Sequence, residues 1–375
     1  MGSELVRAPH YRIMLTQPYG TTGCNISKIA FGAMRFSHPK DRVRSAEVVL
    51  RAHSAGINYF DTAPYYCDDL SEGIVGYALS QVPRQSFYLS TKSGHADGGD
   101  LRAQLERSLK RLRVDSIDFF HVWCLMDLDN WEQRLRGGAV EAALKAKEEG
   151  LVQHVVCSTH MQGADIERVL EANVFEGVTL GYNAINFPYR TEAVRAAAER
   201  NLGVVAMNPL GGGVIVQNPD RFAFLCDEGR ASVLEGALRF VVGEPRITSA
   251  LVGFANVDEV DAAISAIDGF EGYGDDHAER LRRHIEDSFD GLCTGCGYCL
   301  PCPEGIPIPK YMDAANHVIL NGGDVASAKG RFKWQWGIKE DMASCCTDCG
   351  DCEARCTQHL PITTRLRELP KPDAE

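Results

Sequence analysis

Two short runs near the end of this 375-residue chain hold eight of its fourteen cysteines. The first reads Cys293-x2-Cys296-x2-Cys299-x2-Cys302, with Pro303 directly after it. The second reads Cys346-x2-Cys349-x2-Cys352-x3-Cys356. Thiolates three residues apart in a loop converge on one cuboidal cluster, and a fourth arrives from further away. That is the arrangement a [4Fe–4S] cluster needs, and such clusters carry single electrons. Zinc, held by four tetrahedral ligands, is the rival for any lone Cys-x2-Cys pair. Two runs of four, one with a trailing proline, favour iron–sulfur. Disulfides are the third reading. The chain opens without a signal-peptide pattern, and its thiol usage fits a reducing cytoplasm, so disulfides are not expected.

A second set of reactive side chains lies far upstream. Asn58-Tyr59-Phe60-Asp61 ends one apolar run and leads into Thr62-Ala63-Pro64-Tyr65-Tyr66; Leu89-Ser90-Thr91-Lys92 ends the next. A carboxylate, a phenol and an ammonium converging at one place make a proton-transfer site. An ammonium beside a phenol is expected to lower its pKa, and the carboxylate holds the ammonium charged. Singly, each residue has a plain reading: Asp61 as a cap, Tyr66 as packing, Lys92 as a surface charge. The trio at strand ends is more specific.

Those strands belong to a regular alternation. Apolar, β-branched or aromatic runs occur at Ser27–Phe31, Ile57–Phe60, Phe87–Ser90, Ser116–Val122, Val155–Cys157, Gly177–Leu180, Gly203–Ala206 and Thr248–Val252. Amphipathic helical stretches follow nearly all of them, as at Leu101–Leu112, Ala139–Glu149, Ile166–Ala172, Thr191–Arg200 and Val257–Ile267. Eight strand–helix alternations predict an α/β fold, a (β/α)8 TIM barrel, whose chemistry sits at the C-terminal strand ends. A doubly wound sheet would want an early GxGxxG, which is not found. Residues 11–26 read as a hairpin before the barrel. Composition changes near residue 270. The expected domains are a barrel over residues 1–270 and a cysteine-rich, mainly α-helical domain over 277–375. The segment Gly269–Asp276 reads as the linker and His277–Phe289 as a helix. Pro309–Leu320 reads as a helix between the cysteine runs.

Phe60-Asp61-Thr62-Ala63-x-x-Tyr66, Ser71-Glu72 and Gly76 resemble the aldo/keto reductase signature. The resemblance continues through Gly32-Ala33-Met34, Ser90-Thr91-Lys92, Tyr182-Asn183 and Pro209-Leu210-Gly211-Gly212-Gly213, over roughly residues 10–268. It implies NAD(P)H-linked reduction of a small polar carbonyl, or oxidation of an alcohol. Tyr66 would be the general acid, supported by Lys92 and Asp61. The family's strand-four motif ends in a histidine that orients the carbonyl. Here Asp118-Phe119-Phe120-His121-Val122-Trp123 puts Trp123 at that position. His121 lies two residues earlier, on the same face and about 7 Å deeper. It is either the missing catalytic histidine or a structural one. His160, after Ser158-Thr159, is a second candidate proton donor.

For the cofactor, the resemblance implies Ser158, Asn183, Gly211, Gly253 and Asn256. The stretch Gly253-Phe254-Ala255-Asn256-Val257-Asp258-Glu259-Val260-Asp261 holds three acids and no lysine or arginine. Repulsion of a 2′-phosphate there predicts NADH over NADPH, if nicotinamide binds. The tail resembles the ferredoxin-like domain of one bacterial branch of the family. It departs from ferredoxins in the x2 spacing before Cys302 and in Thr357, where a proline is usual. The ferredoxin rule assigns the fourth cysteine of each run to the other cluster. Cys293, Cys296, Cys299 and Cys356 would then hold one cluster, and Cys346, Cys349, Cys352 and Cys302 the second. Cys345 is an alternative ligand.

The formal charge of −12 disfavours nucleic acid and anionic membrane as partners. No apolar run approaches a membrane span. A small-molecule substrate and an electron-transfer protein are the expected partners. Two rivals remain at this level. One is a redox-neutral barrel enzyme of elimination or isomerisation. The other is an electron-relay or redox-sensing protein with a vestigial barrel.

Overall fold

The computed structural model describes residues 14–161, 163–184, 187–226, 232–273, 291–293, 297–320, 322–329, 331–332, 338 and 341–370. The chain divides into two compact units, Met1–Pro209 with Asp227–Asp275, and Leu210–Cys226 with Asp276–Glu375.

The first unit opens with an antiparallel pair, β1 (Thr16–Pro18) and β2 (Asn25–Ser27). Eight parallel strands follow: β3 (Ile29–Gly32), β4 (Tyr59–Asp61), β5 (Tyr88–Ser93), β6 (Ile117–Leu125), β7 (Val152–Thr159), β8 (Gly177–Gly181), β9 (Gly203–Met207) and β10 (Ser249–Gly253). They close into a barrel in the order β10-β3-β4-β5-β6-β7-β8-β9. All eight expected strands are present. The strands read as apolar runs because a barrel strand is covered on both faces, by its interior layers and by the helices outside. Phe31, Phe60, Phe119, Phe120 and Val205 are buried accordingly.

Polar residues set the helix starts. Asp41, Asp97, Asp127 and Asn256 each accept a backbone N–H three residues on, and Ser232 with Glu235 forms a capping box. The hairpin closes the N-terminal end of the barrel. Tyr19, in its loop, lies 4.4 Å from the ring of Phe119. A Cβ at Gly177 or at Gly203 would come within 2.2 Å of Tyr19. Both positions are therefore restricted to glycine by this plug.

The second unit is mainly helical, with Ile308–Leu320 and Ile362–Glu368 as its longer helices. Tyr311, Met312, Phe332, Leu360, Ile362 and Leu366 form its core. The Tyr311 hydroxyl accepts the backbone N–H groups of Met342 and Ala343 at 3.0 and 3.2 Å. The loop Leu210–Cys226, with Gly211 at φ 60°, groups with this unit. Arg221 donates from it to the Ile319 carbonyl at 3.4 Å. The expected helix His277–Phe289 lies outside the described residues. Among the described residues no helix is long and apolar enough to cross a membrane.

Candidate functional site

Strand register brings the sequence-predicted trio together. Asp61 ends β4 opposite Ser90 of β5, and Lys92 of β5 stands opposite His121 of β6. The Lys92 ammonium donates to both Asp61 oxygens, with side-chain exposures of 5% and 3%. Ser90 Oγ donates to Asp61 Oδ2 at 2.7 Å. Tyr66 closes the group from above, its ring centroid 5.9 Å from Lys92 Nζ.

The expected direction of the phenol's pKa is corrected here. Tyr66 is pushed well above its ordinary value, first by burial and then by the Asp61 carboxylate and the Cys124 and Cys67 thiols. Lys92 cannot reverse this, because its charge is already matched by Asp61. Burial pulls Lys92 itself down, against the opposing pull of Asp61. Tyr66 thus stays protonated.

His121 is fully buried beneath the pair. Its Nε2 lies 3.0 Å from Ser90 Oγ and 3.8 Å from Asp61 Oδ2. Burial, then Lys92, drives its pKa well below the imidazole range, so it stays neutral. It reaches the Lys92–Asp61 pair through Ser90. Trp123 is the β6 side chain at Tyr66, with ring centroids 5.8 Å apart and planes at 82°. Trp123 follows His121 by two residues on the same strand face, and the register of β6 against β7 shifts just beyond it, between Val122 and Leu125. Cys124 takes φ 59° there, and its N–H donates to Ser158 Oγ at 2.9 Å. Ser158 is therefore engaged by this irregularity in the strand. His160 is buried, and burial followed by the charge of Arg190 brings it down to about 3.

Two supporting arginines were not singled out in the sequence. Arg134 donates to the carbonyls of Gly94 and Trp123, fixing the backbone on both sides of the pocket wall. Arg111 grips the Asp69 carboxylate with both terminal nitrogens, at 2.5 and 2.7 Å. Asp69 also accepts the Tyr65 N–H at 3.1 Å. This closes the turn that carries Tyr66. Neither arginine sits in a recognisable motif; an amphipathic helix pattern leaves both as ordinary surface charges.

A cleft of about 370 Å³ opens beside β10, lined by Ser37, His38, Arg44, Glu47, Asn256 and Asp258 among others. Asn256 caps its helix through the Glu259 N–H at 3.0 Å. Two of the three expected acids are committed elsewhere. Glu259 accepts the Ala255 N–H at 2.8 Å, and Asp261 pairs with Arg51 at 2.6 Å. Arg44 and His38, remote in sequence, bring basic groups to the same cleft. Gly253 is exposed at the end of β10, and a Cβ there would lie 2.9 Å from Arg35 Cγ. Asn183 is buried and donates to the Asn208 carbonyl at 2.9 Å.

In the second unit, thiols from both runs share two cavities. Cys302 lines one with Cys346, Cys349 and Cys352; Cys293 and Cys356 line the other, and Cys299 reaches both. Cys296 lies outside the described residues. Cys345 is exposed and lines neither cavity. Asn316 brackets Cys293, accepting its N–H at 2.7 Å and donating to its carbonyl at 2.6 Å. The remaining walls are largely apolar, including Ile306, Leu366, Met312 and Leu360. A donor set of soft thiolates around such cavities fits an iron–sulfur cluster. Among the described residues no three His, Cys, Asp or Glu side chains group as around a single metal ion.

Comparison with known proteins agrees with both units. The aldo/keto reductase family model matches residues 28–286. The chain belongs to the aldo/keto reductase family. A 4Fe-4S dicluster domain model matches residues 292–361. L-galactose dehydrogenase of Arabidopsis thaliana is 25% identical over 290 residues, covering 68% of this chain and 89% of its own. D-threo-aldose 1-dehydrogenase of a Pseudomonas species is 27% identical over 258 residues, covering 55% and 78%. The holo form of aldo-keto reductase AKR11C1 from Bacillus halodurans superposes with a TM-score of 0.64 at 21% identity, over 72% of this chain and 96% of that one. This aldo/keto reductase is therefore an oxidoreductase of a family that uses NAD(P)H, with a C-terminal iron–sulfur domain.

Proposed function

We propose that this reductase interconverts a small polar carbonyl compound and its alcohol, with Tyr66 moving the proton. The observation that carries this is the buried Lys92–Asp61 pair directly beneath the Tyr66 ring. A phenol that stays protonated can give its proton to a carbonyl oxygen as negative charge develops there, and the Lys92–Asp61 pair forms the floor on which its ring sits. In the oxidative direction Tyr66 would take the hydroxyl proton back. His121 and Ser90 would act on the pair from below, without touching substrate. Trp123, edge-on to Tyr66, would give the pocket an apolar wall against which the C–H face of a polyhydroxylated substrate can lie. The two curated relatives carry dehydrogenase names of sugars, which favours that substrate class.

A nicotinamide, when bound, supplies or accepts the hydride. The cleft of Arg44, His38, Asn256 and Asp258 is large enough for the adenosine end of a cofactor. Asp258 and Glu47 against Arg44 leave a small acidic excess, so NADH is the preferred form, by a margin smaller than three free acids would give. In the second unit we assign one cluster to Cys302, Cys346, Cys349 and Cys352. The other goes to Cys293, Cys296, Cys299 and Cys356. Together they would deliver or receive single electrons.

The deciding experiment is a screen of aldoses and small hydroxyaldehydes with NADH and NADPH, in wild type and Tyr66→Phe. Tyr66→Phe keeps the ring and removes the proton. It should lower turnover by about 10²-fold or more. Unchanged turnover would move the chemistry away from Tyr66.

A further inference from the structure

At the N-terminal end of the barrel, opposite Tyr66, a chain of polar side chains stands apart from the proton-transfer site. Cys24 directly precedes β2, His154 lies near the start of β7, Glu176 directly precedes β8, and Lys147 lies on the helix Ala139–Glu148. Cys24 Sγ lies 3.6 Å from His154 Nε2. His154 Nδ1 lies 2.8 Å from Glu176 Oε1, and Lys147 donates to Glu176 Oε2. Glu176 Oε2 also accepts the Val155 N–H at 3.3 Å. The imidazole stacks on Phe119, with centroids 5.1 Å apart and planes at 28°. The ring is thus fixed at its face and at one nitrogen, and its other nitrogen is on the sulfur.

The thiol is held as well. The Cys24 N–H donates to Thr22 Oγ1 at 3.2 Å, and the Cys24 carbonyl accepts the Tyr19 N–H at 2.8 Å. Cys24 is partly exposed, between exposed Gly23 and Asn25, so a small molecule can reach it. A nucleophile, a base within hydrogen-bond reach and a third group behind the base form the arrangement that activates a thiol. An ion pair that served stability alone would be complete with Glu176 and Lys147. Against its burial, His154 is raised to about 9 by Cys24 and Glu176, so it is charged at neutral pH. The thiolate is the attacking form of cysteine, and an imidazolium beside a sulfur favours it. Two other barrel thiols are placed differently. Cys157 is buried and pushed up by burial; Cys67 is partly exposed, but burial raises it and Asp68 adds to the rise.

We propose that Cys24 is a modification site for low-molecular-weight disulfides, with His154 carrying the proton. The inference does not rest on the chemistry assigned to Tyr66, which lies at the other end of the barrel. In the step, Cys24 Sγ bonds to one sulfur of the incoming disulfide, whose S–S bond breaks. The second sulfur leaves with the electron pair and takes the proton of His154. Cys24 is oxidised to a mixed disulfide, and the departing half of the reagent is reduced to a thiol.

The test uses the full chain, purified and handled without oxygen so that other oxidants are absent. Oxidised glutathione is added at neutral pH, samples are quenched with acid over time, and each cysteine peptide is followed by mass spectrometry. Cys24 should gain the glutathionyl adduct about tenfold or more faster than Cys67, by the dependence of exchange on thiolate character and access. His154→Gln should slow Cys24 by about tenfold or more and leave Cys67 unmoved. A Cys24 that stays unmodified, or that reacts no faster than Cys67 in the wild type, overturns the proposal. So does a His154→Gln variant in which Cys24 keeps its rate, because the sulfur would then act without the imidazole. If His154→Gln loosens the barrel, which a faster Cys67 would reveal, the wild-type ratio of Cys24 to Cys67 decides.

Discussion

Replacing Lys92 with Met should destabilise the barrel more than any surface change, and the structure sets the size of the effect. Lys92 and Asp61 are 5% and 3% exposed, and the ammonium lies on both carboxylate oxygens. Removing one partner of such a pair leaves a charge in the interior without its counter-ion, which costs about 3–5 kcal/mol. Asp61 would keep the Ser90 hydroxyl at 2.7 Å, so the lower end, about 3 kcal/mol, is expected. Asp61→Asn removes the other charge. The ammonium would then have Tyr66's ring at 5.9 Å and the Glu72 carboxylate, which acts on it more weakly than Asp61 does, and its cost should approach the upper end, about 5 kcal/mol.

The double variant Lys92→Met/Asp61→Asn separates pair from packing. It leaves neither charge of the pair, so it should cost less than the sum of the singles by about 3 kcal/mol or more. A chain with two compact units need not unfold in one step. Stability is therefore best read by native-state hydrogen exchange on peptides covering β4 and β5, which report the opening of the barrel itself. Single variants costing under about 1 kcal/mol, or a double equal to the sum of its parts, would show that the pair is solvated and uncoupled. The placement of Tyr66 over a fixed cation would fall with it.

Three further outcomes are expected. Cys352→Ser should lose about half of the bound iron while barrel exchange protection is unchanged, since the units have separate cores; zinc in place of iron in the wild type would end the cluster assignment. Fluorescence titration should show NADH binding several-fold more tightly than NADPH, and Arg44→Ala should widen that gap by removing a cation that could meet a 2′-phosphate. Barrel stability should fall on both sides of a plateau between about pH 4.5 and 6.5. Against its own burial, Glu176 is brought down to about 2 by His154 and Lys147, so its contribution is lost as pH falls toward 2. Against its burial, His154 is raised to about 9 by Cys24 and Glu176, so its contribution is lost as pH rises through 9. His154→Gln should flatten the alkaline side, and an unchanged slope there would remove this group from the account.

What could be read from the sequence follows from range. Barrel strands are short, apolar and regularly spaced, so Phe60, Phe119 and Val205 announce their places within a window of a few residues. Cysteine spacing works in the same way, because cluster geometry fixes how near three thiols must stand in one loop. Asp61 and Lys92 were legible because each ends a strand. Their parallel neighbours put them side by side whatever the loops do. The cleft beside β10 was read only in part. Its acids lie in one stretch, but Arg44 comes from another helix, and Arg51 of that helix neutralises Asp261. A charge count over nine residues could not include partners some two hundred residues away.

The turn around Tyr66 marks where local reading ends. Pro64-Tyr65-Tyr66-Cys67-Asp68-Asp69 contains no glycine. Yet Tyr65, Cys67, Asp68 and Asp69 take φ values of 71°, 54°, 56° and 66°. Each non-glycine residue in that region costs about 1–2 kcal/mol, so local preference argues against this turn. What holds it lies 42 residues on, where Arg111 binds Asp69 in a fork. An exposed ion pair alone is worth about 1 kcal/mol or less, which falls short of the turn's cost. The remainder must come from burying its neighbours, Cys67 against the Ala33 carbonyl at 3.8 Å and Tyr66 against Trp123. The turn is therefore a product of the folded barrel, and Tyr66 reaches its place over Lys92 only once strands β3 to β6 and the helix bearing Arg111 have assembled.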